Sequence, residues 1–299
     1  MTMNTSITKG QENQYKRFME DVANSALTKV SPSKEGLQQL LGKGHEVQVG
    51  IASLITELST LNRFANEEAE SNYTYPDEYK GPRAITDQVE ALAEILELSP
   101  TQALKYVKEI LPTLELPMEA EGWFAIPSVS ALASKHFAEV TDPAEQYCSA
   151  VQLIHAKISE SRPFHNYCEI TPDYLRVHAH TIEALERLSK SQPGDIIIVA
   201  AQLGIRHRGK SVRRAYETYV SNEFGLNSLS LGSIVLTHPK RLRYPMLAID
   251  CAGDEFNDAF SRVPNLSISV NMIMFSARTV GHFDKGYGSA SAFLPKTKS

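Results

Sequence analysis

The chain has 299 residues, 42% of them hydrophobic, and its 30 Lys and Arg stand against 35 Asp and Glu for a net charge of −5. That length can bury a sizeable core without disulfide staples, and the negative balance alone argues against a generic polyanion binder. The three cysteines, Cys148, Cys168 and Cys251, are odd in number and lie in well-patterned segments, as expected of buried thiols in a reducing, cytoplasmic compartment.

The N-terminal MTMNTSITKGQENQ lacks the apolar run of a signal peptide, and its first eleven residues are expected to be disordered. Apolar stretches such as IIIVAA at 196–201 are too short for a membrane span. From residue 12 to about 120 the pattern is helical. QYKRFMEDVANSALTKV places Phe18, Val22 and Leu27 near one face, and Ser33 is an N-cap candidate. EVQVGIASLITELSTL and AITDQVEALAEILEL carry apolar residues three and four apart. LSPTQALKYVKEIL opens with Ser99 as cap, Pro100 at the first helical position and Gln102 closing a capping box.

At EGWFAIP the pattern turns to a short strand carrying Trp123. TDPAEQYCSAVQLIHAKI and TPDYLRVHAHTIEALERL read as helices that start on a cap and a first-turn proline. DIIIVAA is a continuous β-branched run, predicting a strand covered on both faces. PMLAID and SISVNMIMF are further strands, while SLGSIVLTH is ambiguous.

Between DIIIVAAQL and VRRAYETYV lies GIRHRGKS, residues 204–211, which fits G-x-x-x-x-G-K-[ST], the pattern of a phosphate-cradling loop. Such a loop needs glycines so that backbone N–H groups converge on phosphate, a lysine for the outer oxygens and the positive end of the next helix. Gly204, Gly209, Lys210 and Ser211 match in spacing, but Ile205, Arg206, His207 and Arg208 are bulky for a tight anion nest. Arg213 and Arg214 add charge where the helix dipole disfavours cations. The cluster therefore requires an anion, either a ligand or carboxylates from elsewhere. IDCAGDEFND offers Asp250, Asp254, Glu255 and Asp258 for that role, or for a metal beside the cradle.

Other constellations are thin. His165 and Cys168 lack the further ligands of a closed zinc site, His178 and His180 sit two apart on a predicted helix, and His238 fits a turn. No G-x-S-x-G elbow occurs. EGWFAIP, RHRGKSVRRA, NEFGL, LTHPKRL, IDCAGDEF and GSASAFLP together resemble a family of uncharacterised bacterial proteins across residues 121–295. The resemblance implies that the loop lysine can be arginine, hence a general anion cradle, and carries no activity.

The sequence thus predicts an α+β protein, with a helical subdomain over residues 1–120 and a mixed α/β domain over 121–299 holding a small, partly parallel sheet. The first functional expectation is binding of a phosphate-bearing ligand, nucleic acid or nucleotide, through Arg206, His207, Arg208, Gly209, Lys210, Ser211, Arg213 and Arg214. One alternative is an NTPase or metal-dependent phosphoryl-transfer or phosphodiesterase enzyme, with Lys210 and Ser211 at phosphate. Its catalytic candidates are His207, Asp250, Asp254 and Glu255, the three acids doubling as ligands of a divalent metal. The other alternative is a structural or interaction protein whose loop is neutralised by the acids of 250–258 and whose acidic N-terminal half meets a protein partner.

Overall fold

The computed structural model describes residues 8–59, 62–243, 247–257 and 261–298. It divides into two compact units, Met1–Leu61 and Asn62–Ser299. The first holds α1 (Lys9–Val30), α2 (Lys34–Gly42) and α3 (Gly44–Ser59). Helix α1 starts on a capping box in which the Thr8 hydroxyl accepts from Gln11 N and the Gln11 side chain accepts from Thr8 N. The expected disorder of the first eleven residues is thereby corrected for residues 8–11, while 1–7 lie outside the described residues. Ser33 caps α2 as predicted, accepting from Gly36 N at 3.0 Å. Neither α1 nor α2 buries a residue.

The second unit runs α4 (Ile85–Leu96), α5 (Thr101–Glu109), β1 (Leu114–Glu115), β2 (Gly122–Pro127), α6 (Val129–His136), α7 (Pro143–Ser161), β3 (Phe164–Asn166), β4 (Leu175–Val177), α8 (Ala179–Ser191) and β5 (Ile196–Gln202). It continues with α9 (Val212–Glu217), β6 (Glu223–Gly225), α10 (Ser228–Thr237), β7 (Ala248–Asp250), β8 (Asp254–Phe256), β9 (Arg262–Ser269), β10 (Met272–Thr279), β11 (Tyr287–Ser289), β12 (Ser291–Phe293) and β13 (Lys296–Thr297). The architecture is α+β.

Among the described residues the strands form an antiparallel sheet ordered β2-β5-β12-β6, a β1–β13 pair, and a larger sheet. The larger sheet is built on β11-β7-β9-β10-β3, with β8 pairing β4 and β9. It is mixed, with β10 parallel to β3 and β11 parallel to β7. Strand β5 is buried along its whole length, which is why its sequence before the terminal Gln202 is unbroken Ile, Val and Ala rather than alternating. Val89, Leu92 and Leu96 of α4, Val151, Ile154 and Ile158 of α7, and Leu231 and Ile234 of α10 pack in the same core as Phe124 and Ile126 of β2. Gln88, fully buried, ties α4 to β2 by accepting from Ala125 N and donating to the Trp123 carbonyl.

Three local readings are corrected. Ser99 does not cap α5: its N–H donates to Asp195, and the helix begins at Thr101 without a side-chain cap. The helix read from Thr171 is interrupted because Leu175–Val177 pairs with β8, so α8 starts only at Ala179, with His178 accepting from His180 N. The ambiguous SLGSIVLTH lies within α10, capped by Asn227 and buried nearly all round, so it shows no amphipathic stripe.

The turn between β9 and β10 forces Val270 to φ 57° while 79% of its surface is exposed. A β-branched residue has no packing there to offset left-handed strain. Val270→Gly is expected to raise the urea unfolding midpoint, by about 1 kcal/mol of stability.

Candidate functional site

Residues 204–211 leave β5 and enter α9 as the pattern requires, but the loop is filled from inside. Gly204 and Gly209 adopt φ 115° and 78°. A Cβ on Gly204 would stand 2.9 Å from the Gly288 carbonyl oxygen, and one on Gly209 would stand 2.1 Å from that of Ala69. Both glycines therefore answer to close backbone packing, with bridges pairing Lys210 to Glu68 and Arg208 to Gly288.

The N–H groups that a phosphate would need are in use. Gly204 and Arg206 donate to Gln202 Oε1, Ile205 donates to Tyr75 Oη, and Gly209 donates to the Tyr287 carbonyl. Those of His207, Arg208 and Lys210 close turns on Gly204, Ile205 and His207, and that of Ser211 reaches the Glu67 carbonyl. Ser211 caps α9, accepting from Arg214 N at 3.1 Å, while its hydroxyl donates to Glu67 Oε2 at 2.6 Å.

The side chains follow the same logic. Glu223, fully buried, accepts from His207 Nε2 at 2.7 Å, Ser291 Oγ at 2.6 Å, Val220 N at 3.1 Å and Arg206 Nε at 3.3 Å. Burial pushes its pKa up, but His207 and Arg206 outweigh that and hold it below the usual carboxylate range. Burial holds His207 below its ordinary value, against the opposing pull of Glu223. Arg213 grips Glu67, with Nε 2.7 Å from Oε2, and lies over the Phe64 ring at 4.4 Å. That hydrogen bond depresses the Glu67 pKa. Arg214 pairs with Glu68 and, at 3.3 Å, with Glu217, which also accepts from Arg63 N and Phe64 N. Arg208 donates to the Tyr73 carbonyl at 3.1 Å and Lys210 to Thr218 Oγ1 at 3.3 Å. Burial lowers the Lys210 pKa.

Arg206, Arg213 and Arg214 are thus neutralised internally, but by none of the described acids of 250–258, and that expectation is corrected. Asp250 is held by Arg278 through both oxygens, at 2.7 and 2.5 Å, under Tyr287. Asp254 is fully enclosed, accepting from Tyr147 Oη at 2.7 Å and Ser228 N at 2.6 Å. Glu255 meets Arg176 at 2.6 Å across the β4–β8 pairing. Asp258 lies outside the described residues. The three described acids thus have separate partners and converge on no common point, and among the described residues no three His, Cys, Asp or Glu side chains could share a metal. His165 meets Tyr167 edge-on, whereas Cys168, Cys148 and Cys251 are buried free thiols. His178 stacks on Tyr216, and His238 accepts from Arg83 N at 3.0 Å.

The carboxylates missed as loop partners, Glu67 and Glu68, belong to the NEEAE cluster that stands out in the sequence as acidic charge. Their charge is legible there, but their destination some 146 positions away is set by the backbone bridge to Lys210. Glu217 and Glu223 are the acids inside the basic stretch itself.

Two outcomes follow from this arrangement. Gly209→Ala is expected to destabilise by about 2 kcal/mol or more, read from urea denaturation, because it meets both positive φ and the Ala69 carbonyl. Burial raises Asp254 from 3.8 to about 7, so its contribution is complete below pH 3.8 and is lost as pH rises through 7. Relative to the parent, Asp254→Asn should therefore gain stability across that window, whereas Glu67, Glu223 and His207, all depressed, should make both proteins weaken together on acidification.

No family model, no curated protein and no solved structure matches this chain. The likeness carried by RHRGKSVRRA and the motifs around it stays a resemblance, and the functional reading rests on geometry.

Proposed function

We propose that this chain is an interaction protein, cytoplasmic in keeping with its three buried free thiols, in which the basic loop is an internal clasp rather than a receptor for an outside anion. The observation that carries this reading is the pairing of Arg206, Arg213 and Arg214 with Glu223, Glu67, Glu68 and Glu217. A phosphate site needs donors aimed outward and unsatisfied; here the N–H groups of 204–211 donate inward. The contact surface is assigned to the first unit, where Phe18, Leu41, Leu54 and Leu58 are 60%, 67%, 52% and 76% exposed.

A phosphate-bearing ligand remains the second reading on one observation. Arg208 and Lys210 close on a carbonyl and a hydroxyl, with no carboxylate among the described residues within 4.0 Å of either. A metal-dependent transferase or phosphodiesterase has less support, because Asp250, Asp254 and Glu255 each serve a different partner.

The two readings separate in a salt series. Anisotropy with a single-stranded oligonucleotide and with ATP should give no affinity that weakens as salt rises, and the Arg206→Ala/Arg208→Ala double variant should match the parent in binding while unfolding at lower urea. Binding that is present at low salt, falls with salt and disappears in the double variant would favour the phosphate site instead.

A further inference from the structure

Residues 65–71, which carry Glu67 and Glu68 onto the loop, are fastened to it by polar contacts. From Arg63 to Tyr73 only Glu67 is buried, and none of these residues belongs to a hydrophobic cluster. The backbone meets the loop at two points, Ala69 N donating to the Gly209 carbonyl at 2.9 Å and Ser211 N to the Glu67 carbonyl at 3.0 Å. The ion pairs are within reach of solvent, the Arg213 and Glu68 side chains being 43% and 35% exposed, so dissolved salt weakens them. The loop beneath takes its shape from other partners. Gly204 and Arg206 donate to Gln202, Ile205 to Tyr75 and Gly209 to Tyr287, all outside residues 65–71. Glu67 Oε2 accepts from Ser211 Oγ at 2.6 Å and from Arg213 Nε at 2.7 Å, hydroxyl and guanidinium donors of the kind that hold a phosphoryl oxygen. Arg214 supplies a second guanidinium, set between Glu68 and Glu217.

Resting on the clasp reading, we infer that residues 65–71 form a displaceable strap, with Glu67 standing in a phosphoryl site built from Ser211, Arg213 and Arg214. With the strap down the site is filled from within and the chain ignores outside anions. Lifting it withdraws Glu67 and Glu68 and frees the Ser211 N–H, the Ser211 hydroxyl and the Arg213 guanidinium together. These donors meet at the place that the Glu67 carboxylate marks. The ligand class is a phosphate group of a nucleotide or of a nucleic-acid strand, because two guanidiniums and a hydroxyl suit its oxygens in geometry and charge. The fraction of molecules with the strap lifted sets the apparent affinity, so whatever holds the strap open turns binding on.

The test titrates a labelled single-stranded oligonucleotide, ATP and inorganic phosphate into the parent chain and into Glu67→Gln/Glu68→Gln, which keeps the shape of the strap and removes its charge. The parent is expected to bind none of them, and the variant to bind one with affinity higher by about tenfold or more, falling as salt rises. Preference for the strand or for ATP distinguishes nucleic acid from nucleotide. Adding Arg213→Ala/Arg214→Ala should abolish the gain, and the urea transition reports whether each variant is folded. Amide exchange of the parent tests the strap without any substitution. The N–H groups of Ala69 and Ser211 should exchange faster as potassium chloride is raised, while those of β5 stay protected. A folded variant that gains no binding, a gain that survives loss of both arginines, or Ala69 and Ser211 exchanging only with β5 overturns the proposal. Those outcomes leave the clasp reading standing, whereas salt-sensitive oligonucleotide binding by the parent, lost in Arg206→Ala/Arg208→Ala, would remove that reading and the strap with it.

Discussion

Five cationic side chains leave the backbone between Arg206 and Arg214, and nearly everything around the end of β5 is arranged to keep them from repelling one another. The strongest element is Glu223, which has four donors on its two oxygens and no contact with water. A buried carboxylate with that coordination is stabilised as an anion despite its desolvation, and the same contact ties His207 to it. Removing one member of such a network leaves the others buried and unsatisfied, so the network acts as a unit. The ion pairs of Arg213 and Arg214 then fasten the segment carrying Glu67 and Glu68 to the far side of the loop.

The loop also has a foundation. Glu121 accepts from Tyr75 Oη and from Leu203 N, and Tyr75 Oη in turn accepts from Ile205 N, so the first residues after β5 hang from a half-buried acid–tyrosine pair. Beneath it Arg241, fully buried, lies 4.0 Å from the Tyr75 ring and donates to the carbonyls of Leu203 and Leu247. Among the described residues, Arg241 Nε, Glu121 Oε2 and Tyr79 Oη have no hydrogen-bond partner. Burial raises the Glu121 pKa, whereas the nearby Glu223 stays depressed because a histidine and an arginine touch it. The half-buried Glu121 is thus raised while the fully buried Glu223 is depressed, so neighbours rather than depth set their proton affinities.

What could be read from the sequence followed from local physics. The unbroken run of β5, the Ser33 cap and the Asp142 cap with Pro143 are signalled within a few residues, and the structure forms them there. Where distant partners compete with local preference the reading breaks down. Thr171–Val177 has helical signals, yet pairing with β8 takes Leu175–Val177 into a sheet. At the candidate site the local charge excess is plain in RHRGK and RR, but its resolution is not. Asp250 and its neighbours are the nearest dense acids after the loop in the chain, and Arg278 takes Asp250 instead because β7 and β10 both pair with β9.

The octapeptide shows why a spacing pattern alone under-determines chemistry. Glycine at positive φ, a cation and a hydroxyl before a helix meet the needs of a phosphate nest, but they equally meet the needs of a chain squeezed between two other backbones. The discriminating quantity is where the N–H groups point. In a nest they converge on an empty concavity, so the backbone holds a positive potential that only a ligand relieves. Here Ala69 and Gly288 occupy the space on either side, the glycines are the only residues that let them approach so closely, and the donors are satisfied when the chain folds. The same residues that would make a receptor in an open loop make a fastening in a closed one, and the acidic segment that closes it is the part of the sequence that determines which of the two is built.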